Sequence, residues 1–295
     1  MKFSIITPTY NRAHTIERAI KSMKEQTYEN WEMIISDDGS TDNTEELLKK
    51  YLREDSRIKY IKAEKNGGVG KARNIGFQNI SDNTDWIGFL DSDDIFVDNA
   101  LELMKKKIEE FPDIKQFAFS TRFQDGRFGS TIKYDNFLGD YNTVLGQNND
   151  VSGEFNVLLN KSIIDNGFHF EESVNGYEWI AWLRLSKKGI YILYTNTVTR
   201  IYITEGESLI RNKSKNLEYY KNSHKALTIL LTEFGDDLKK ANQKTYSKYI
   251  SWYGLASIKL GRRYEGLKFT VYSIMTNPFE IRNLRNIAVY LGLIK

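Results

Sequence analysis

Carboxylates follow one another directly after two apolar, strand-like runs of the sequence. Residues 31–36 lead into Asp-Asp-Gly-Ser at 37–40, and residues 86–90 lead into Asp-Ser-Asp-Asp at 91–94. Acids crowded in this way repel one another and are costly to desolvate unless a cation or a hydrogen-bonding ligand lies among them. In open α/β sheets the ligand crevice lies beyond the carboxyl ends of the strands. The pattern therefore predicts a nucleotide site assisted by a metal ion.

The second acidic segment offers metal ligands. Asp91 and Asp93 are two residues apart, and on extended backbone such side chains point the same way. They can share a divalent ion, or divide ribose and metal contacts between them, since Mg²⁺ and Mn²⁺ usually take one or two carboxylates beside phosphate oxygens and water. An acidic turn that starts the next helix is the structural alternative.

The other strand ends offer groups for a nucleobase. The carboxylate of Asp38 is an acceptor only, so it can accept a hydrogen bond from a base N–H such as a uracil-like edge presents. Tyr10, after the first predicted strand, offers a ring for stacking. The structural alternatives are that Asp38 belongs to an Asp-Gly turn before a helix and that Tyr10 is a core or surface residue without a ligand.

Residues 66–74 form a glycine-rich entry to a predicted helix. Such an entry places backbone N–H groups and the helix dipole near a phosphate, and Lys71 and Arg73 can neutralise a diphosphate. A Walker A loop is excluded because Lys65 stands at a required glycine and Ala72 at the required Ser or Thr. A simple surface turn is the alternative.

The spacing of apolar residues predicts the elements that hold these groups. Strands and helices alternate from residue 4 to about 111, which indicates a largely parallel sheet covered on both faces. From about residue 116 the pattern is strand-rich and irregular, with one buried helix at 177–187 and strands at 190–194 and 198–203. Beyond residue 213 the chain reads as helical.

Composition narrows the classes of protein. The chain has 295 residues, 40% of them hydrophobic, and no cysteine, so a thiolate metal site is excluded and oxygen ligands for Mg²⁺ or Mn²⁺ are favoured. Residues 213–295 hold 15 Lys and Arg against 6 Asp and Glu, whereas residues 1–212 hold 27 against 33. No leader and no apolar run of about 18 residues is present. We therefore expect a cytoplasmic protein without a transmembrane helix.

Taken together, these motifs resemble family 2 glycosyltransferases with the GT-A fold. The resemblance covers roughly residues 3–205 and rests on four motifs in family order, at 8–11 (Pro-x-Tyr-Asn), 37–40, 66–74 and 91–94. It implies a Rossmann-like, mostly parallel α/β sheet flanked by helices, here with a C-terminal helical extension. It also implies an inverting, metal-dependent enzyme that takes a hexosyl or N-acetylhexosaminyl group from a nucleotide diphosphate, usually UDP.

Site roles follow from the resemblance by position. Pro8, Tyr10 and Asp38 would hold the base, Asp91 the ribose or the metal, and Asp93 the metal. Asp94 is left open, because members of the family differ in which acid of this trio touches the ion.

The general base implied by the resemblance is Glu178, at the start of the apolar helix. Family members carry an acidic pair there, and this chain has Tyr177 in place of the first acid. Glu178 is therefore the one candidate carboxylate at that position. Its structural alternative is a helix N-terminal acid favoured by the dipole.

The resemblance also sets expectations for domains and partners. We predict a catalytic domain at 1–212, with a nucleotide-binding half at 1–112 and an acceptor-binding half at 113–212, and a basic helical region at 213–295. The acceptor would be a glycan or lipid-linked glycan of cell-surface polysaccharide or glycoconjugate assembly. The apolar and basic stretch 267–275 either packs on the catalytic domain or rests on an anionic membrane at its inner face. Residues 204–211 resemble a segment that closes over the donor.

Three other classes of protein compete with this prediction. A nucleotidyltransferase would carry a glycine-rich loop near its N-terminus, and residues 4–12 contain no glycine. A catalytically degenerate module that binds sugar nucleotides or polysaccharides is favoured only by Tyr177. Nucleic-acid binding is disfavoured because the basic residues lie in the tail without a recognised module around them.

Overall fold

Strands and helices alternate through the first third of the chain. They are β1 (Phe3–Thr9), α1 (Ile16–Lys24), β2 (Trp31–Asp37), α2 (Thr44–Glu54), β3 (Ile58–Lys62), α3 (Val69–Phe77) and β4 (Trp86–Phe89). The computed structural model describes residues 1–146, 150–204 and 216–294. The four strands are parallel and lie in the order β3-β2-β1-β4. The predicted parallel sheet is confirmed here, and its strands end at one edge.

Helices cover both faces of this parallel half. Ile5 of β1 packs in one apolar cluster with Ile16 and Ile20 of α1, whereas the next residue, Ile6, packs in a second cluster with Phe77 of α3. Consecutive side chains of a strand point to opposite faces. All residues of β1 and β2 are buried. Burial on both faces explains why these strands read as continuous apolar runs.

The second half of the sheet is mixed. Its elements are β5 (Ile95–Phe96), α4 (Ala100–Glu110), β6 (Gln116–Phe123), β7 (Ser130–Ile132), β8 (Phe137–Gly139), α5 (Tyr141–Val144), β9 (Val151–Gly153), β10 (Phe155–Asn160), α6 (Lys161–Asp165), α7 (Trp179–Lys187) and β11 (Ile192–Tyr202). β10 is antiparallel to β4 and β6, and β11 is parallel to β6. The order is β3-β2-β1-β4-β10-β6-β11-β5, with β8 beside β11 and a separate β7-β9 pair.

The predicted division of the last strand is wrong. Residues 190–194 and 198–203 were expected as two strands, but one continuous strand, β11, spans most of both. Its register against β6 shifts between Thr195 and Val198. Asp135 accepts a hydrogen bond from the Thr195 hydroxyl at this shift (3.0 Å). The polar residues that suggest a turn in the sequence are therefore a local irregularity within a strand.

The described residues divide into two compact units. The larger unit holds residues 1–144, 150–172 and 178–204, and the smaller one holds 145–146, 173–177 and 216–294. The smaller unit contains α8 (Leu217–Ala241), α9 (Gln243–Lys259), α10 (Arg263–Thr276) and α11 (Arg282–Tyr290), which confirms the predicted C-terminal helices. The predicted boundary at residue 212 lies outside the described residues. None of the helices in the described ranges is both long and apolar enough to cross a membrane.

Candidate active site

The predicted site residues of the larger unit gather at the carboxyl edge of the parallel strands. The register pairs Thr9 at the end of β1 with Asp37 at the end of β2, and Ile6 of β1 with Phe89 at the end of β4. The loops that follow these three strands therefore start side by side. Arrangement at one edge is the expected consequence of parallel pairing.

Asp38 ties the end of β2 to the glycine-rich loop. Its two carboxylate oxygens accept hydrogen bonds from the backbone N–H groups of Gly67 (2.8 Å) and Gly68 (2.7 Å). Burial raises the pKa of Asp38, and these two hydrogen bonds together with the charge of Lys71 oppose that rise. Gly39 beside it has φ +79°, and a Cβ there would lie 3.1 Å from the backbone nitrogen of Asn66. A glycine is needed because the two loops approach so closely.

Asp37 is a structural carboxylate. It is fully buried, and it accepts hydrogen bonds from the Ser40 backbone N–H (2.8 Å) and the Tyr60 hydroxyl (2.6 Å). Burial and the hydrogen bond to Asp37 raise the pKa of Tyr60, so its hydroxyl stays a donor. Of the two neighbouring acids, Asp37 fixes the turn itself and Asp38 holds the next loop.

The loop after β1 presents the aromatic ring predicted from the sequence. Pro8 is buried within β1, whereas Tyr10 is 42% exposed at its end. Asn11 has φ +53°, a conformation that asparagine tolerates better than most residues. Its side-chain oxygen accepts a hydrogen bond from the Thr41 backbone N–H (2.8 Å), which joins the β1 loop to the β2 loop. The Tyr10 ring is thus displayed from a braced loop.

Residues 91–94 form a turn, so the prediction of extended backbone is wrong. The Asp94 backbone N–H donates to the Asp91 carbonyl (3.1 Å). Asp91 faces two guanidinium groups, with Arg73 3.3 Å and Arg200 2.9 Å from its carboxylate oxygens. Asp93 instead lies 3.5 Å from Arg12 and is 40% exposed. The two carboxylates, predicted either to share one ion or to divide ribose and metal contacts, therefore have different cationic partners.

An arginine lies beside each of the three acids Asp91, Asp93 and Asp94. Desolvation would raise the pKa of Asp91, but the charges of Arg200 and Arg73 and their hydrogen bonds hold it below its usual range. Desolvation raises the pKa of Asp94 to about 7, with Arg200 opposing the rise and Asp91 and Asp93 adding to it. Sequence reasoning missed Arg12 and Arg200. A buried arginine inside an apolar strand was the available signal for Arg200, because such a charge requires a partner.

Arg73 contacts both Asp91 and the predicted base, Glu178. One guanidinium nitrogen lies 2.9 Å from the carboxylate of Glu178, and the other is 3.3 Å from Asp91. The guanidinium also lies over the rings of Phe89 (5.5 Å) and Phe170 (5.3 Å). Arg73 comes from α3, the helix that the glycine-rich loop begins, so the loop and the base are linked through one side chain.

Glu178 directly precedes α7, which begins at Trp179, two positions later than predicted, and its side chain makes no capping hydrogen bond. Its carboxylate remains about 29% exposed. Tyr177, the departure from the family's acidic pair, donates its hydroxyl hydrogen bond to Ser223 of the smaller unit (2.9 Å). Of the segment 204–211 predicted to close over the donor, all but residue 204 lies outside the described residues.

The donor set is compatible with a hard divalent ion at Asp93. The ligand is a partly exposed carboxylate whose nearest cation is 3.5 Å away, and the neighbouring acids are also oxygen donors. Across the described ranges no group of three or more His, Cys, Asp or Glu is arranged to hold a metal ion. An ion at Asp93 would complete its shell with phosphate oxygens and water, as Mg²⁺ and Mn²⁺ commonly do. Asp91 fits less well, because both of its oxygens already contact arginines.

Comparison with known proteins finds relatives over most of the chain. It is 30% identical over 280 residues to the GalNAc(5)-diNAcBac-PP-undecaprenol beta-1,3-glucosyltransferase of Campylobacter jejuni, covering 90% of this chain and 85% of that protein. It is 33% identical over 220 residues to the UDP-Glc:alpha-D-GlcNAc-diphosphoundecaprenol beta-1,3-glucosyltransferase WfgD of Escherichia coli, covering 73% and 82%. An uncharacterized glycosyltransferase of Rickettsia bellii is 31% identical over 219 residues, covering 72% of this chain, which spans only 30% of that longer protein.

Solved structures and the family's sequence model agree. S. aureus TarS 1–349 in complex with UDP-GlcNAc superimposes with a TM-score of 0.65 at 18% identity, covering 94% of this chain and 81% of that one. The mannosyltransferase PcManGT of Pyrobaculum calidifontis, in complex with GDP-Man and Mn²⁺, gives 0.59 at 13%, covering 99% and 86%. These likenesses confirm the fold. The model of glycosyl transferase family 2 matches residues 4–168. The chain therefore belongs to glycosyl transferase family 2.

Proposed function

We propose that this protein is an inverting glycosyltransferase that moves a sugar from a nucleotide diphosphate, most simply a UDP-sugar, to a hydroxyl group of an acceptor. The observation that carries the proposal is the chain of contacts from Asp91 through Arg73 to Glu178. It joins an acid at the end of a central strand to an acid at a helix N-terminus, and these are the two sides from which donor and acceptor would enter. A purely structural ion pair would not require the second acid to be partly exposed.

The nucleotide would lie across the loops after β1 and β2. Tyr10 supplies an exposed ring for the base, and Pro8 sets the strand end from which it projects. Asp38 already accepts two backbone hydrogen bonds, but each carboxylate oxygen has a second lone pair, so contact with a base N–H is compatible with this geometry. The UDP-GlcNAc complex of TarS, which shares the fold, supports uracil as the base to test first.

The diphosphate would lie at the start of α3, near Lys71 and Arg73. Helix N-termini and guanidinium groups stabilise phosphate oxygens. Asp93 would hold Mg²⁺ or Mn²⁺, and Asp91 would contact the ribose. When bound, the ion would supply Lewis-acid stabilisation of the departing diphosphate. The Mn²⁺ complex of PcManGT, which shares the fold, supports this choice of ion.

Glu178 would take the proton of the acceptor hydroxyl as that oxygen attacks the anomeric carbon. The attack comes from the face opposite the diphosphate, so the carboxylate must stand away from the phosphate groups while remaining close to the donor. Its place at the N-terminus of α7 and its partly exposed carboxylate support this role. General-base catalysis of this kind is worth roughly 10²- to 10⁴-fold in rate.

The acceptor would be a lipid-linked glycan of cell-surface polysaccharide or glycoconjugate assembly. Support comes from the names of two relatives that match most of both chains, each of which specifies an undecaprenol-linked acceptor. Both names also specify a glucosyltransferase, so UDP-glucose is the first hexosyl donor to test. An undecaprenol-linked acceptor requires the enzyme to work beside a membrane, and we propose the cytoplasmic face with peripheral contact.

The test is donor binding followed by transfer. Calorimetry with UDP, GDP and UDP-glucose, with and without Mn²⁺, should show metal-dependent binding of the uridine compounds. Glu178→Gln should keep this binding and lose transfer by roughly 10²-fold or more. Glu54→Gln is the matched control, because Glu54 also pairs with a cation (Lys24, 3.2 Å) but at the C-terminus of α2, away from the loops that follow the strands. Unchanged turnover in Glu178→Gln would exclude its role as the base.

A catalytically degenerate binding module is the second candidate. The observation that favours it is Tyr177, which stands where the family carries an acid and whose hydroxyl is bonded to Ser223. Such a module would bind nucleotide sugars without releasing the sugar to water or to any acceptor. Slow hydrolysis of the donor by the wild-type protein, absent in Glu178→Gln, would rule it out.

A further inference from the structure

Large apolar side chains project from the last two helices of the smaller unit. Tyr264 and Met275 of α10 are 83% and 76% exposed, Leu284 of α11 is 70% exposed, and Phe279 and Ile281 between the helices are 89% and 79% exposed. We call these five residues the apolar face. They lie on α10, on α11 and on the segment that joins them, and the two helices pack on each other and on α9. Contiguous exposed apolar patches usually mark an interaction site.

The interior of the same helices is polar. On α11 the buried residues are Asn283 and Asn286, 3% and 0% exposed, whereas Leu284 between them faces outward. The Asn286 amide donates to the backbone carbonyl of Ser251 on α9 (2.7 Å). In a helix that faces water, the apolar residues would be inside and the asparagines outside. The fully buried positions of α11 are therefore polar, and its apolar contact with the core is made by Val289, which is only partly buried.

The buried residues of α10 are also small or polar: Gly266, Thr270 and Ser273. A Cβ at Gly266 would lie 2.7 Å from the backbone oxygen of Gly254 on α9, and the partly buried Phe269 packs on Tyr253 of α9 with ring centroids 4.6 Å apart. Such close helix contact through small residues, with large apolar residues outside, is typical of helices whose outer surroundings are lipid. The helices α9, α10 and α11 therefore pack on one another without burying the apolar face, which remains available to a partner.

Exposed cations identify the partner as anionic. Arg263 and Lys268 of α10 and Arg285 of α11 are exposed on the same two helices. Residues 262–294 contain five Lys and Arg against two Glu, and one of these, Glu280, is paired with Arg282 at 2.8 Å. A second copy of this face would bring like charges together, which disfavours self-association. Anionic lipid headgroups would complement the cations while the acyl region receives the apolar side chains.

We propose that the apolar face and its flanking cations dock this protein onto an anionic lipid bilayer. The proposal deepens the peripheral membrane contact stated under the proposed function by naming the surface that makes it. Tyr264, Met275, Phe279, Ile281 and Leu284 enter the boundary between headgroups and acyl chains, and Arg263, Lys268 and Arg285 contact headgroup phosphates. Docking at this surface holds the enzyme beside a lipid-linked acceptor.

Vesicle flotation tests this surface directly. The full-length protein is mixed with vesicles of phosphatidylcholine alone or of phosphatidylcholine with phosphatidylglycerol, at low and at high salt. We expect binding to the anionic vesicles only, and weaker binding at high salt because the Debye length falls from about 10 Å at 0.1 M to about 3 Å at 1 M. The triple variant Phe279→Ser, Ile281→Ser, Leu284→Ser should bind at least roughly tenfold more weakly.

Two matched controls separate the surface from general effects. Leu138→Ser, at an exposed apolar residue of β8, should bind as the wild type does. Lys268→Gln with Arg285→Gln should lose roughly fivefold in affinity per charge removed, whereas Lys21→Gln with Lys49→Gln, at two exposed lysines of the larger unit, should lose nothing.

The outcome is independent of the proposed chemistry. Glu178→Gln should bind vesicles as the wild type does, and the triple serine variant should still hydrolyse a soluble UDP-sugar at the wild-type rate. Equal binding of wild type and triple variant to anionic vesicles would overturn the proposal. So would a wild-type dimer that ignores vesicles and becomes a monomer in the triple variant, because the face would then be an interface between two copies.

Discussion

The two units of this protein use polar and apolar side chains in opposite ways. The larger unit has an apolar interior, and it gathers its chemistry-bearing charges as acid–arginine pairs at one edge of the sheet. In the last two helices of the smaller unit the buried residues are asparagine, serine, threonine and glycine, whereas these helices and the segment between them expose leucine, methionine, isoleucine and phenylalanine. The first arrangement suits a site that must hold anionic ligands in water. The second suits a surface whose partner is not water.

Arg200 should give the largest change in stability, because it is the most deeply buried cation of the acidic cluster. Arg200→Met removes the partner at 2.9 Å from Asp91 and the cation at 3.7 Å from Asp94. Asp91 keeps Arg73 as a partner, so urea unfolding should show a loss at the low end of the range for breaking a buried pair, about 3 kcal/mol. Arg184→Met, at a more exposed pair with Glu171, should lose about 1 kcal/mol or less. Equal losses would mean that the cluster does not depend on Arg200.

Arg73 should affect turnover more than affinity. Arg73→Met frees Glu178 from its contact at 2.9 Å, and a misplaced base of this kind costs roughly a hundredfold in kcat. Because the role is one of positioning, Arg73→Lys should restore part of kcat while the KM for the acceptor stays close to the wild-type value. Steady-state kinetics on both substrates checks this. A higher KM for the donor with kcat unchanged would instead assign Arg73 to the diphosphate alone.

Glu32 tests whether the larger unit also pairs its buried charges away from the candidate site. Burial would raise the pKa of this carboxyl, but hydrogen bonds from Lys59, Ser4 and Ser81 outweigh burial and lower it from 4.5 to about 2. A lowered folded-state pKa contributes stability above about pH 4.5, and that contribution is lost as the pH falls toward 2. Glu32→Gln should therefore cost about 2 to 3 kcal/mol at pH 7 and much less near pH 2.

Urea unfolding of wild type and Glu32→Gln across this pH range measures the difference. Glu46→Gln, at an exposed acid that pairs with Lys49, serves as the control and should change little at either pH. A Glu32→Gln cost that stays constant with pH would show that its hydrogen bonds, and not its charge, stabilise the strand ends.

Substitutions in α11 should have the smallest effects on stability, and replacing a polar residue should cost more than replacing an apolar one. Asn286→Ala removes the amide's hydrogen bond to the Ser251 carbonyl from a fully buried position, at a cost of about 1 kcal/mol. Leu284→Ser, two residues earlier on the outer side, should change the stability in buffer by less than about 0.5 kcal/mol. Thermal unfolding of both variants checks the order. A larger loss from Leu284→Ser would mean that this leucine is packed against protein in solution.

Much of the larger unit could be predicted from residue spacing. The helix α1 follows from Ile16, Ala19, Ile20 and Met23, all fully buried, because a period near 3.6 places them on one face. The parallel strands follow from short apolar runs separated by helices. The continuity of β11 could not be predicted in this way. Asn196 and Thr197 look like a turn in the sequence, and only the pairing with β6 shows that the strand continues through them.

The candidate site could be predicted as a set of acids but not as a network. Motif order located Asp38, Asp91, Asp93 and Glu178, since each follows a predicted strand or begins a predicted helix. Their partners come from distant parts of the chain. Arg200 is 109 positions from Asp91 and Glu178 is 105 positions from Arg73, so no local pattern connects them.

By itself the sequence determined the alternation of elements, the family and the edge of the sheet where the acids lie, because these depend on short-range periodicity and on motifs in a set order. The tertiary structure alone decided that arginines balance the acids, that Asp38 holds the glycine-rich loop, and that α10 and α11 face their apolar residues outward. The physical reason is that charge pairing and burial depend on distances through space, which chain topology sets and local sequence does not record.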